Sequence, residues 1–356
     1  MHARAIVTVD LAKITENTRR VRALLPGVEV VAVTKVTCGT PQVAGAMLAG
    51  GAVAIGESRL ENIVRQRASG IEAPFWLLRA TPPALAAETV RLADVSLASE
   101  IVAVEALDRA AAAEGVRHGI LAMVDLGDLR EGMLPAELPD FLDHVAALGH
   151  IDLVGIGTSL TCYGGVVPDE ENLGELARLA HGAEERLGHP MMVSGGMSSS
   201  IDAALAGHLP ATLDNLRIGE SIILGVSTVT REPLPGLNTD AITLEAPVIE
   251  CKAKPSMPRG AIAQDAFGNV PVFKDRGERL RAICAIGRQD APPGGLRPLD
   301  PRIEVLGASS DHLILDVHDL PVPPAVGDAI GFVPTYAATL ALFTSPYVDK
   351  RFVGQE

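Results

Sequence analysis

The sequence predicts a (β/α)8 TIM barrel followed by a C-terminal β domain. Three observations carry that expectation. Eight apolar strand-like runs, each followed by helix-like sequence, fall within roughly the first 230 residues, about the span a barrel needs. Beyond Leu224 helical periodicity gives way to prolines and short β runs. The core composition agrees: only 3% of the 356 residues are aromatic, while 35 are Gly and 25 are Pro. Ala, Val, Leu and Ile with frequent glycine turns suit layered β/α packing.

A short strand at 5–9 opens the chain. From 10 to 24, Leu11, Ile14, Thr18 and Val21 recur at helical spacing, with Asp10 as the N-cap. Barrel strands are expected at 28–34, 52–55, 75–78, 94–97, 119–125, 153–158, 191–194 and 215–218, with helices such as 100–114 and 172–187 between them. An open dinucleotide-binding sheet would want GxGxxG after an early strand. The nearest string, Gly155-Ile156-Gly157-Thr158-Ser159-Leu160, lacks the third glycine and sits mid-chain. In the tail Pro233, Pro235, Pro247, Pro255, Pro258 and Pro271 interrupt the chain, and β runs are expected at 282–286, 303–306, 313–317 and 329–333. Gly294-Gly295 and Val322-Pro323-Pro324 read as turns. The expected organisation is an N-terminal strand at 1–9 packed with the β domain, a barrel at 10–230 and a β domain at 231–356.

The formal net charge of −14 repels polyanions, so nucleic acid is excluded as a partner. Cys38, Cys162, Cys251 and Cys284 lie far apart with no CxxC pair, which argues against a zinc ribbon or thioredoxin motif and for reduced thiols. No metal site is expected. The N-terminus meets Asp10 before any stretch long enough for a signal peptide. The longest uncharged run, 36–56, is broken by Gly39, Thr40, Pro41 and Gln42, so no membrane helix is expected and the protein reads as soluble and cytoplasmic.

Barrel chemistry sits where strands end. Lys35 closes the first strand, either as an ordinary strand-end lysine or as a partly desolvated amine able to form a Schiff base. The seventh strand ends in Ser194-Gly195-Gly196-Met197-Ser198-Ser199-Ser200, which offers backbone N–H groups to an anion or is a glycine turn with serine caps. The eighth carries Arg217 and Gly219, where the arginine faces a ligand or pairs with a local carboxylate. After the fifth strand comes Asp125-Leu126-Gly127-Asp128-Leu129-Arg130-Glu131-Gly132, in which Arg130 clamps a carboxylate or joins a solvated charge cluster. Glu57 orients a neighbour or sits in a helix's first turn. A phosphate cradle opposed by a lysine fits one ligand, pyridoxal 5′-phosphate.

These residues resemble the alanine racemase family of fold-type III pyridoxal phosphate enzymes, and more closely its ornithine or broad-specificity amino-acid racemase branch. The resemblance runs along essentially the whole chain. It is carried by Asp10-Leu11 with Asn17, Ala32-Val33-Thr34-Lys35, Gly56-Glu57-Ser58-Arg59-Leu60-Glu61-Asn62, Asp125-Leu126-Gly127 with Arg130 and Gly132, Ser194-Gly195-Gly196-Met197-Ser198 and Arg217-Ile218-Gly219. In the tail it continues through Gly307-Ala308-Ser309-Ser310-Asp311-His312, Val326-Gly327-Asp328 and Tyr336.

The resemblance implies a racemase that removes and returns a proton at Cα of a free amino acid held on pyridoxal phosphate. Lys35 looks like the Schiff-base lysine and one of two acid/base groups, and Arg217 like the arginine facing the pyridine nitrogen. Ser194, Gly196, Gly219, Glu220 and Tyr336 would hold the phosphate, with Arg130 near the substrate carboxylate or the opposite base. A homodimer with shared active sites is implied as well.

The sequence departs from the family where its second base stands. Arg288 occupies the position of the usual tyrosine, Met123 that of a lysine carbamylated in many relatives, and Ser159 that of a histidine. Candidates for the opposite base are Cys162 and Tyr163 in the barrel and Asp311 and His312 from the neighbouring subunit, while Arg288, Asp290 and Asp311 would line a pocket for a longer polar side chain. Two same-fold alternatives are a decarboxylase and a D-specific aldolase; a metal-dependent aldolase would want more tail ligands than His312 and His318. A non-enzymatic pyridoxal phosphate-binding protein would end after the barrel, whereas this chain continues for about 120 residues of β texture.

Overall fold

Eight parallel strands close into a barrel: β2 (Glu29–Val33), β3 (Ala54–Glu57), β4 (Phe75–Leu77), β5 (Val95–Ala98), β6 (His118–Met123), β7 (Ile151–Gly157), β8 (Met192–Met197) and β9 (Asn215–Ile218). β1 (Ile6–Asp10) precedes them. Each strand pairs with the next in sequence, and β9 closes the ring against β2 with Glu29 opposite Asn215 and Ala32 opposite Ile218. The computed structural model describes residues 4–354. It comprises two units, one from Leu11 to Thr239 and one joining residues up to Asp10 with those from Asp240 onward.

The barrel strands are apolar because both of their faces are covered. On β6 the side chains alternate: Leu121 and Met123 join Val31, Ala54, Trp76 and Leu97 in one buried cluster. Ile120 and Ala122 belong to another, with Leu107, Phe141, Leu142 and Leu176 of the surrounding helices. Those helices are α1 (Leu11–Leu24), α2 (Pro41–Ala49), α3 (Leu60–Ala68), α4 (Ala86–Leu92), α5 (Ile101–Glu114), α6 (Leu138–Ala146), α7 (Glu170–Leu187), α8 (Ser200–Leu205) and α9 (Glu220–Leu224).

Strand ends differ from expectation where the chain turns toward the barrel mouth. β6 stops at Met123, not at 125, because the chain folds back there: Asp125 N–H donates to the Met133 carbonyl at 2.9 Å, and Met133 N–H to the Met123 carbonyl at 2.9 Å. β3 extends to Glu57, so that residue closes a strand and is not in a helix's first turn. Asp10 is likewise the last residue of β1, paired with Val353.

The second unit is an eight-stranded sheet. Its strands are β1, β10 (Ile242–Pro255), β11 (Glu278–Cys284), β12 (Leu296–Pro298), β13 (Glu304–Ala308), β14 (Leu313–Asp316), β15 (Ala329–Pro334) and β16 (Asp349–Val353), with β1 between β10 and β16. β10 runs straight through Pro247, a residue that marked a break in the sequence reading. Proline is tolerated because it lies where β10 exchanges one partner, β15, for another, β11, and its carbonyl still accepts the Ala285 N–H at 2.9 Å. A helix, α10 (Tyr336–Thr344), also stands where none was expected; YAATLALFT is apolar nearly all round and shows no amphipathic stripe. No helix among the described residues is long and apolar enough to cross a membrane.

Candidate active site at the barrel strand ends

Lys35 opens a single 3-10 turn, Lys35–Thr37, directly beyond β2. Burial, and then the Arg130 guanidinium, pull its ammonium below the ordinary lysine value, while Cys162, Glu131 and Glu57 oppose them. Charges delivered by three other strand ends therefore act on Lys35. One of them, Glu57, is fully buried and accepts hydrogen bonds from the Thr34 hydroxyl, from Gln66 Nε2 at 3.1 Å and from Asn62 Nδ2 at 2.9 Å.

Arg217 on β9 is buried, 3% exposed, so its charge has to be met by hydrogen-bond acceptors. Nη1 donates to the Ser194 hydroxyl, and Nη2 to the Thr158 carbonyl at 2.5 Å and to Ser159 Oγ at 3.4 Å. These acceptors are neutral, so the local carboxylate pair weighed from sequence is not what holds it. Burial brings Arg217 down to about 10, with Arg130 adding and Glu131 opposing, which leaves the guanidinium charged at neutral pH. The Ser194 hydroxyl is fully engaged, since it also donates to Asn215 Oδ1 at 2.8 Å.

Next to Arg217 the chain offers groups an anion would satisfy. Gly219 and Ser221 N–H reach Ser198 Oγ only over 3.4 Å, and the buried hydroxyls of Thr158 and Ser199 have no hydrogen-bond partner among the described residues. Gly196 adopts φ +103°, and a Cβ on Gly219 would lie 2.7 Å from the Val33 carbonyl, so neither position takes a side chain without strain. Glu220 turns its carboxylate to Arg231 and could meet an anion only through its backbone.

The loops after β6 and β7 are tied together by a residue the sequence reading passed over. Asp128 is 1% exposed and accepts backbone N–H groups of Tyr163 at 2.9 Å and of Cys162 and Val166 at 3.2 Å. Burial pushes its carboxyl up, but those donors and the Gly164 N–H outweigh it and hold the group below the usual carboxylate range. The result sets Cys162 Sγ 3.2 Å from Arg130 Nη1, while Arg130 Nη2 pairs with Glu131. Glu131 is the second residue the sequence reading missed. Met123 lies in a buried apolar cluster, and the anion beside Arg130 is the next loop residue, Glu131. Of the non-glycine residues at positive φ among those described, Cys38, Leu129 and Thr161 lie in segments following barrel strands and Arg231 in the segment after α9; Leu129 and Thr161 adjoin Arg130 and Cys162.

Residues proposed from the tail belong to the other unit. Tyr336 begins α10. Asp290 is 8% exposed, with one oxygen accepting the Ser345 hydroxyl at 2.6 Å and the other the Gly287 N–H at 3.3 Å, so its carboxylate ties backbone segments together. Arg288 donates to the Ala308 carbonyl at 3.0 Å and stacks on Phe267, its guanidinium 4.5 Å from the ring centre. Asp311 and His312 bond to neighbouring Ser310 and Ser309. Tyr163, in the barrel unit, is 78% exposed.

Comparison with known proteins places these groups in context. The family model for the alanine racemase N-terminal domain matches residues 9–226. An ornithine racemase of Acetoanaerobium sticklandii is 38% identical over 98% of this chain and 99% of its own length. A lysine racemase of Thermotoga maritima is 39% identical over 97% of both. Among solved structures, an alanine racemase from Bartonella henselae with covalently bound pyridoxal phosphate superposes with a TM-score of 0.75 at 19% identity, covering 99% of this chain and 100% of that one.

Proposed function

Because this chain belongs to the alanine racemase family, we propose that it is a pyridoxal phosphate-dependent racemase of free amino acids with basic side chains, ornithine and lysine foremost. The likeness to an ornithine and a lysine racemase along the full length of both is the observation that carries the reading. When bound, the cofactor supplies an aldehyde that takes up an amine and a ring that draws electrons from Cα.

The barrel residues fit that group. Lys35 would be the amine that meets the aldehyde and one of the two groups that hold a proton. Arg217 would hold the ring nitrogen; being charged already, it has no proton to give, which would favour the proton's return to Cα over side reactions. The N–H groups of Gly219 and Ser221 and the bare hydroxyl of Ser199 suit a phosphate. Arg130 orients the substrate carboxylate, with Glu131 holding the guanidinium in place. Cys162, held against Arg130 by the Asp128-bound loop, is the favoured proton carrier opposite Lys35. Tyr336 would help hold the phosphate, Asp311 and His312 would contribute from a two-fold partner, Arg288 and Asp290 would line a pocket for a longer polar side chain, and four free cysteines suit the reducing cytoplasm.

The test is a panel of L-amino acids incubated with the cofactor-loaded enzyme, with D-product measured by chiral chromatography and Lys35→Ala as the control. L-ornithine and L-lysine should yield D-product and L-alanine little. Release of carbon dioxide or an aldehyde, or no turnover of any amino acid, would reject the reading.

A further inference from the structure

At the end of β3 lies a carboxylate whose bonded partners are all neutral donors. Burial pushes the Glu57 carboxyl up, and against that work the donors it accepts from, the Thr34 hydroxyl, Asn62 Nδ2, the Ser58 N–H and Gln66 Nε2. Gln66 spends one N–H on Thr34 Oγ1 at 2.9 Å and the other on Glu57, leaving its own Oε1 buried without a hydrogen-bond partner among the described residues. Turned over, that amide would offer an acceptor to a protonated Glu57. It presents its nitrogen instead, at the cost of a bare carbonyl, which is the arrangement an ionised carboxylate requires because such a group only accepts.

Thr34, which donates to this carboxylate, immediately precedes Lys35, and its carbonyl accepts the Thr37 hydroxyl of the Lys35 turn at 2.9 Å. We propose that Glu57 is ionised in the folded protein and is a positioning residue for Lys35, holding the lysine's turn through Thr34 and setting through its charge how readily Lys35 gives up a proton. The proposal rests on the reading above that Lys35 is the amine that meets the cofactor. The other charged or titratable groups acting on Lys35 are Arg130 and Glu131 after β6, Cys162 after β7, and Glu220 at the start of α9. Arg130 works with burial to expel the proton, while Glu131 and Cys162 work with Glu57 to keep it. Of the groups that favour the protonated amine Glu57 is the one with no solvent exposure, and its effect is smaller than those of Cys162 and Glu131.

The experiment follows attachment of pyridoxal 5′-phosphate to apoprotein by absorbance across a pH series. Neutral Lys35 is the reacting form, so the rate rises with pH through the lysine's titration. In Glu57→Gln the loss of the anion should move that midpoint down by about one pH unit and raise the rate below it about tenfold. Glu57→Asp should keep the wild-type midpoint. An unchanged midpoint in folded Glu57→Gln protein overturns the proposal, whereas attachment that persists in Lys35→Ala overturns the reading of Lys35 itself. Should Glu57→Gln not fold, infrared spectra at neutral pH decide: a protonated-carboxyl band displaced in Glu57→Asp refutes an ionised Glu57, and its absence supports one.

Discussion

Replacing Asp128 by alanine removes the acceptor for three backbone N–H groups, those of Cys162, Tyr163 and Val166. Bonds to a carboxylate are worth more than neutral ones, but Cys162 and Tyr163 are exposed, so water can replace part of each. About 1 kcal/mol net per bond is then appropriate, or about 3 kcal/mol in all. Opening of the loop should rise about 100-fold, read directly as faster native-state hydrogen exchange at amides 162–166. Asp128→Asn keeps one acceptor oxygen and should show roughly half of that loss in free energy. The sign of the acid dependence follows from the same bonds. The folded carboxyl titrates below its unfolded value, so its contribution is present above the unfolded pKa of about 3.9 and is lost as pH falls through the folded one. Wild-type loop protection should show this acid step and Asp128→Ala should lack it. Unchanged exchange at amides 162–166 in the alanine variant would refute the claim that this carboxylate holds the loop.

Three further outcomes are expected. Cys162→Ala should slow deuterium exchange at Cα for one enantiomer far more than for the other; wild-type rates for both would end the case for Cys162 as the proton carrier opposite Lys35. Arg217→Met leaves the Thr158 carbonyl and the Ser194 hydroxyl without their buried donor, so urea unfolding should show a loss of about 2–4 kcal/mol together with weaker cofactor retention in equilibrium dialysis. His118, buried at the start of β6 and 2.9 Å from Ser96 Oγ, is drawn down to about 4 by burial, with Asp94 opposing. Between the unfolded value of about 6.5 and that folded value the unfolded chain binds more protons, so stability should fall by about 3 kcal/mol as pH drops through the window. Denaturant midpoints for His118→Gln should lose most of this slope, and an equal slope in both proteins would exclude His118 as its source.

Much of the barrel was legible because closed parallel strands are buried on both faces, so each reads as an apolar run between polar or glycine breaks. β10 was not, because Pro247 marks a break locally and is tolerated only where the strand exchanges partners. α10 escaped for the opposite reason: a helix apolar on nearly all sides carries no period to read. Lys35, Arg130 and Arg217 drew notice because each follows or ends a strand run. Asp128 and Glu131 stand in the same loop as Arg130 but carry no local signal of a role, since the Asp128 donors lie 34 to 38 residues further along the chain.

The sequence by itself determined which residues stand at the strand ends, because strand alternation and glycine breaks are local properties of the chain. What only the tertiary structure decided is how those ends act on one another: that Glu57 is buried among donors and bonded to Thr34 beside Lys35, that Glu131 supplies the anion beside Arg130, and that Asp128 holds Cys162 against that arginine. Burial, charge and hydrogen-bond donation depend on distances across the barrel mouth, and those are set by closing the ring of strands and by no local feature of the chain.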